Sequence, residues 1–155
     1  MTPLCGANLA CASAAVLAPM AHLLELPDKL ALDGPLWLAV QQHLYRGWGP
    51  FLGGPVELGA LATSLALLWR RRGDRPTFGP TFLAAFAYCA MVATFFVFNQ
   101  PVNAAPDGWA AATLPADWAS YRTRWEVGHA LSACLSIVGL ISVVRACLVE
   151  RDRLG

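Results

Sequence analysis

Acid and histidine side chains lie three residues apart at two places in the chain, in His22-Leu-Leu-Glu25 and in Glu126-Val-Gly-His129. Three-residue spacing places both side chains on the same face of a helix. Four-helix bundles use the Glu-x-x-His spacing to bind metal ions. Each pair lies in or beside a long apolar run, where ionisable groups are costly and usually functional. We therefore expect these four residues to belong to a functional site.

The composition is that of a membrane protein. Of the 155 residues, 57% are apolar and 14% are charged, whereas soluble domains carry about 45–50% and about 25% respectively. The mean hydropathy is +0.49. A net charge of +1, with no basic stripe that alternates with aromatic residues, excludes nucleic acid as a predicted partner. We expect one membrane domain, residues 1–155, with the lipid bilayer as its surroundings.

Four apolar runs each approach or exceed the length of about 20 residues that crosses a bilayer. The predicted fold is therefore all-α, an integral membrane four-helix bundle. The predicted helices cover about residues 4–26, 51–70, 77–99 and 122–149.

The connection between the first two runs is too long for a simple turn. Pro35 suits the first turn of a helix, so we predict a short helix over about residues 35–48. Trp37, Tyr45 and Trp48 are aromatic residues of the kind that bilayer interfaces favour. This helix is therefore expected to lie along the outer surface and to cap the bundle.

Arginines mark one side of the predicted bundle. They occupy the connection between the second and third runs and the C-terminal end, and the positive-inside rule assigns that side to the cytoplasm. We predict a multi-pass protein with both termini in the cytoplasm. The residues concerned are Arg70, Arg71, Arg72, Arg75, Arg145, Arg151 and Arg153.

The ionisable residues of three runs lie at one depth, in the outer half of the bundle. Glu57 is about 9 Å down the second helix at 1.5 Å per residue, and His129 is about 7 Å down the fourth. Together with His22, Glu25 and Glu126 they form a predicted ligand set for a metal ion. Iron is the favoured ion, with manganese, copper or zinc as alternatives.

Other interpretations of these residues remain open. Glu25 has Lys29 at i+4 as an ion-pair partner, and Glu126 has Arg122 or Arg124. His129 has Asn99 or Asn103 as a hydrogen-bond partner across the helices. A haem with His22 and His129 as axial ligands ranks below a metal ion, because three nearby carboxylates would need protons or cations beside an apolar macrocycle. Without a metal, Glu57, His129 and the asparagines would bind a polar substrate and move its proton.

We predict His129, Glu57, Asn99 and Asn103 as the catalytic group, with the asparagines shaping the end of the third helix and orienting its neighbours. A second group is expected to bind the substrate. In it, the aromatic side chains line the entrance and the arginines attract an acidic or phenolic molecule. Its members are Trp118, Tyr121, Arg122, Arg124 and Trp125.

The segment from Asn99 to His129 resembles the characteristic region of the anthrone oxygenase-like integral membrane proteins. The shared pattern is an asparagine-proline-asparagine turn (here Asn99-Gln-Pro-Val-Asn103), then a tryptophan and arginine segment, then a histidine early in the fourth helix. Glu57 matches an acid often found in their second helix. The resemblance implies a four-helix membrane fold and the oxidation of an anthrone to an anthraquinone by dioxygen. The first half departs from the fungal members at residues 22–29 and 41–45.

The resulting functional hypothesis is a membrane-embedded oxidoreductase of the oxygenase type that acts on a small aromatic or lipophilic substrate. The rival is a non-catalytic membrane protein, either a small-molecule transporter or an assembly subunit, because charged residues in membrane helices also mark transport pathways. A water-filled route past Thr63, Ser64 and Thr94 to the cytoplasmic face would favour transport. A homo-oligomer or a redox partner is compatible with the enzyme hypothesis.

Overall fold

The computed structural model describes residues 2–153, and every regular element in that range is a helix. Residues 1, 154 and 155, the ends of the predicted domain, lie outside the described residues. The α-helices, in chain order, are α1 (Pro3–Ala15), α2 (Leu17–Leu24), α3 (Leu26–Ala31), α4 (Gly34–Ala39), α5 (Gly54–Arg70), α6 (Arg75–Thr94), α7 (Gln100–Ala104) and α8 (Trp118–Asp152). Three π-helical segments adjoin them, Val40–Leu44, Gly49–Gly53 and Phe95–Asn99.

Four continuous helical stretches are long and apolar enough to cross a membrane, which confirms the predicted all-helical class and the number of long helices. In each stretch, at most 39% of the residues in its most apolar 18-residue window are buried inside the protein. Most of their apolar side chains therefore face outward, as expected for a bundle surrounded by lipid. These stretches are Pro3–Leu24, Gly34–Arg70, Arg75–Gly108 and Trp118–Asp152.

Proline explains the one break in the first stretch. Pro19 has no N–H to donate to the carbonyl of Ala15, four residues earlier, and its ring crowds that carbonyl. The α-helical pattern is accordingly interrupted at Val16, between α1 and α2. After this break α2 packs against α8, whereas α1 packs against both α5 and α8.

Small side chains bring the helices close together in the inner half of the bundle. Ala12, Ala60 and Ala84 belong to the main buried cluster around Tyr88. Gly139 of α8 lies flat against that tyrosine, because an added Cβ would lie 2.6 Å from its Cζ atom. In lipid, such close backbone approach supplies the packing energy that the hydrophobic effect cannot supply.

The predicted interfacial helix is present, but its aromatic residues point inward. It consists of α4, capped by the Asp33 carboxylate, which accepts a 2.9 Å hydrogen bond from the Leu36 N–H, followed by the first π segment. Trp37 is completely buried and Tyr45 is 9% exposed. Trp37 and Tyr45 therefore face protein, whereas Trp48 is only partly buried. The buried rings pack on Val102 and Trp125, which gives this end of the bundle a second apolar core. The position of the segment at the bilayer interface stays a prediction.

Arg71 joins three helices at the opposite end of the bundle. Its guanidinium donates to Glu150 at 2.6 Å and to Thr81 at 2.9 Å, and it lies 3.0 Å from the Cys5 Sγ. In the adjacent turn, Asp74 pairs with Arg153, and the hydrogen bond from the Thr77 hydroxyl lowers the pKa of the Asp74 carboxyl. These contacts fix the short turn between α5 and α6.

Candidate functional site

The two Glu/His pairs meet where α2 packs against α8. The His22 and His129 rings lie side by side, with centroids 4.0 Å apart. Only 3% of His22 and 4% of Glu126 are exposed. Three-residue spacing on each helix turns both members of a pair toward the opposite helix. The structure therefore brings together four of the five predicted metal ligands.

Lys29, which was not predicted as a site residue, lies between the two carboxylates. Its Nζ is 2.9 Å from Glu126 Oε2 and 3.9 Å from Glu25 Oε2. It also lies 4.9 Å from the centre of the Trp125 ring, and only 4% of the residue is exposed. The expected Glu25–Lys29 pair exists, with the Glu25 side chain 41% exposed, and it is joined to the buried pair between Lys29 and Glu126. Glu126 is bound by this lysine and not by Arg122 or Arg124.

The same lysine orients His22. Its Nζ is 3.4 Å from His22 Nδ1. An ammonium group has only protons to donate, so Nδ1 is the acceptor and the ring proton is on Nε2. Lys29 therefore fixes the tautomer of His22 as well as the position of Glu126.

Tyr45 completes the network from the first connection. Its hydroxyl donates a 2.5 Å hydrogen bond to Glu25 Oε2. Its ring packs edge-on against His22, with centroids 4.6 Å apart. Tyr45 was not predicted as a site residue, although it ends the Gln41-to-Tyr45 pattern that sets this chain apart in its first half. The segment that covers the bundle thus also contacts an imidazole of the site.

A cavity of about 490 Å³ lies beside the two imidazoles, within the usual size range for small-molecule sites. His22, His129 and Trp125 form one part of its wall, and Gln42 and Trp48 form another. All three π-helical segments contribute lining residues. A π turn inserts an extra residue and often occurs at functional sites. The cavity therefore lies where three helices are locally widened by π turns.

Glu57 occupies a different wall of the same cavity. It lies in the first turn of α5, which continues directly from the second π segment. Within residues 2–153 it takes part in no ion pair. Its carboxyl group is therefore separate from the Lys29 network, and it faces the space that His22 and His129 also line.

Asn99 and Asn103 hold Trp125. Asn99 Nδ2 donates to the carbonyl of Trp125 at 3.0 Å, and Asn103 Oδ1 accepts from the indole N–H at 2.8 Å. In the described part of the chain neither asparagine forms a hydrogen bond with His129, so that alternative is not observed. The asparagines fix the indole that forms both a cavity wall and a contact of Lys29.

Most of the predicted substrate-binding residues lie away from the cavity, and of the five only Trp125 lines it. Trp118 packs on Trp37, with ring centroids 5.9 Å apart, and Tyr121 packs on Trp109.

Both predicted substrate-binding arginines are engaged with the backbone. The Arg122 guanidinium donates to the Leu32 carbonyl at 2.8 Å, and that of Arg124 donates to the Val97 carbonyl at 2.6 Å. These two arginines tie neighbouring connections to the start of α8.

The ammonium group of Lys29 stands where the predicted metal ion would be. Among residues 2–153, no three His, Cys, Asp or Glu side chains converge closely enough to hold a metal ion. Two of the five predicted ligands, Glu25 and Glu126, already bind a cation. His22, His129 and Glu57 remain as the donors that share the cavity, and metal binding stays a prediction. The haem alternative does not fit, because imidazoles 4.0 Å apart leave no space for a macrocycle between them.

Compared with protein-family models, curated proteins and solved structures, the chain gives no match. The resemblance to the anthrone oxygenase-like proteins therefore stays a prediction from the residues that carry it.

We expect Lys29→Met to destabilise the protein by about 3 kcal/mol, because removing one partner leaves Glu126 buried without its counter-charge. Unfolding in detergent micelles measures the loss. Adding Glu126→Gln to the lysine variant should restore roughly half of it, since the unpaired charge is then gone. Equal losses in the single and the double variant would contradict the assigned pairing.

Gly128→Ala tests the contact between α8 and the end of the third spanning helix. An added Cβ would lie 2.4 Å from Asn99 Oδ1 and 2.7 Å from Phe98 Cβ. We expect a loss of about 1–3 kcal/mol from overpacking. Gly73→Ala is the control, since nothing lies within 4 Å of its added Cβ and its φ is not positive. The thermal unfolding temperature should therefore fall for Gly128→Ala and stay close to that of the unchanged protein for the control.

Proposed function

We propose that this protein is a membrane-embedded oxidoreductase of the oxygenase type, which oxidises a small aromatic or lipophilic substrate in the cavity beside His22 and His129. One observation carries the proposal. Two adjacent imidazoles and a carboxylate without an ion-pair partner, Glu57, line one cavity of ligand size. Adjacent groups that accept and donate protons, beside a space for substrate, are what acid–base chemistry requires.

The membrane setting belongs to the proposal. The four long helices would span the bilayer, with both termini and the arginine-rich connection at Arg70–Arg75 in the cytoplasm. The cavity then lies toward the outer face. A substrate dissolved in lipid would reach this site more readily than a strongly hydrated one.

The proposed chemistry begins with proton removal. His129 or Glu57 would take a proton from an activated C–H or phenolic O–H group of the bound substrate, which makes the substrate electron-rich enough to reduce dioxygen. The overall reaction converts CH₂ and O₂ into C=O and H₂O, as in the oxidation of an anthrone to an anthraquinone. Trp48 and Trp125 would hold an aromatic ring between apolar faces. The Lys29 network would keep His22 in one tautomer.

A bound metal ion is a second candidate, favoured by the closeness of His22 and His129. These imidazoles and the Glu57 carboxylate are of the donor types that suit iron, manganese or zinc. Such an ion would supply activation of dioxygen when bound. Glu25 and Glu126 are not needed in this ligand set, because Lys29 already neutralises part of their charge.

Contacts in the inner half favour an enzyme over a transporter. Asn8 donates to Thr63 at 2.9 Å and to Ser64 at 2.8 Å, and the Thr94 hydroxyl donates to the carbonyl of Ala90. The polar side chains that a through-path would use are thus engaged between or along helices. This arrangement supports a site that is closed toward the cytoplasmic side.

We expect His129→Gln to lower kcat/KM for the oxidation of anthrone by about 100-fold or more, the usual contribution of a general base. The measurement is the formation of anthraquinone, followed by absorbance together with oxygen consumption, by the full chain in lipid vesicles. His43→Gln is the matched control, because His43 is exposed and does not line the cavity. Equal rates for both variants would reject the assigned role of His129.

Elemental analysis of the purified protein separates the two candidates for the chemistry. A metal site predicts about one ion per chain, lost in His129→Ala, because imidazole ligands contribute directly to metal affinity. The metal-free mechanism predicts less than about 0.1 ion per chain with undiminished anthrone oxidation. Oxidation that stops when a chelator removes the ion would establish the metal candidate.

A further inference from the structure

Part of the cavity rim is apolar and faces outward. Leu58 of α5 is 56% exposed and Phe96 of the third π segment is 63% exposed, yet both line the cavity. A residue that lines a cavity while most of its surface is exposed suits the edge of an opening. Phe96 lies in the π segment that follows α6, and α6 packs against α5, so we place the opening at the seam between these two neighbouring helices. Its outer side faces lipid if these helices span the bilayer.

The opposite rim is polar. Arg46, Asn103 and Asp107 are exposed and line the same cavity. They belong to the connections at the outer end of the bundle, where water and lipid headgroups meet. The cavity therefore joins an apolar opening at the helix seam to a polar opening at the membrane surface.

Glycines on one side and aromatic rings on the other form the seam. Gly53 and Gly54 line the cavity without side chains, and Gly54 has no room for one, because an added Cβ would lie 3.0 Å from the Gly49 carbonyl oxygen. Across the seam, the Phe95 and Phe96 rings pack edge to face at 5.3 Å. A phenylalanine ring at an opening changes rotamer on a fast timescale, whereas the closely packed backbone at Gly54 is fixed. The phenylalanine rings at this seam could therefore act as a side-chain gate.

We propose that the substrate is a lipid-dissolved amphiphile, an aromatic ring with a polar substituent and an apolar tail, which enters the cavity sideways from the bilayer between Leu58 and Phe96. The ring lies against Trp48 and Trp125, the polar substituent faces the imidazoles, and the tail remains at the seam. The part about chemistry at the imidazoles rests on the proposed function. The route and the class of molecule rest on the two rims of the cavity.

The test follows the quenching of tryptophan fluorescence in vesicles that contain the full chain. The probe is a dibromophenol with a dodecyl tail, and the same dibromophenol without the tail is its comparison. The protein carries Trp69→Phe, because Trp69 is 69% exposed and far from the cavity. The saturable phase of quenching, which Trp48→Phe should diminish, reports occupation of the cavity. Its rate is measured for both probes at the same free aqueous concentration.

For lateral access, the tailed probe enters the cavity much faster than the tail-less probe at the same free aqueous concentration, because it is concentrated in the membrane. We expect Leu58→Phe to slow this phase about fivefold and Phe96→Ala to speed it about threefold. Leu65→Phe and Phe86→Ala are matched controls, since both residues are exposed on the same helices but do not line the cavity. Both controls should leave the rate unchanged.

Several outcomes would overturn the proposal. The absence of saturable quenching would reject the tailed amphiphile as occupant. Equal effects of the variants on tailed and tail-less probes, or equal rates for the two probes at the same free aqueous concentration, would assign access to the polar rim instead. If Leu58→Phe does not fold, an unchanged rate in Phe96→Ala would equally reject the lateral route. If His129→Gln keeps full anthrone oxidation while Leu58→Phe still slows access, the proposed chemistry fails and the lateral route stands.

Discussion

The buried ion pair between Lys29 and Glu126 is the contact on which the outer end of this bundle depends. An ammonium group out of water must have counter-charges and acceptors around it, and here Glu126, Glu25 and His22 provide them. The pair connects the short helix α3 to α8, alongside the hydrogen bonds that the Arg122 guanidinium donates to the carbonyls of Lys29 and Leu32. Since Tyr45 and Trp125 contact the same group of side chains, the position of the lysine also determines where the covering segment lies.

Open space in such a bundle requires local departures from regular helix geometry. The three π segments, together with the glycines at the start of α5, keep side chains out of the volume beside the imidazoles. The asparagines at the end of the third spanning helix then fix Trp125 from both sides, through its carbonyl and its indole N–H. Cavity and ion-pair network therefore share one wall. A change in either is transmitted to the other through a single indole and a single imidazole.

Helical periodicity and hydropathy were sufficient to predict four long helices, the two Glu/His pairs on facing surfaces and Glu57 near them. They were insufficient for Lys29 and Tyr45, because both follow the first spanning helix, in a region where proline and charge indicate a surface connection. The aromatic rings of that connection suited the bilayer interface equally well, and only packing against Val102 and Trp125 turns them inward. A substrate-binding role was predicted for Arg122 and Arg124, because the sequence alone does not show that their guanidinium groups bind backbone carbonyls. The π segments have no sequence signature.

The distribution of charge decides which of the predicted ligands are free to react. One oxygen of each carboxylate is engaged, Glu126 Oε2 by Lys29 and Glu25 Oε2 by Lys29 and Tyr45, whereas Glu126 Oε1 has no hydrogen-bond partner among residues 2–153. Taking Glu126 away from Lys29 would break a buried pair, which costs about 3–5 kcal/mol, whereas the Glu25 side chain is 41% exposed. Glu57 has no such partner within residues 2–153, and it faces the cavity directly. Glu126 and Glu25 therefore hold the ammonium group that contacts His22, while the Glu57 carboxyl group faces the cavity outside that network.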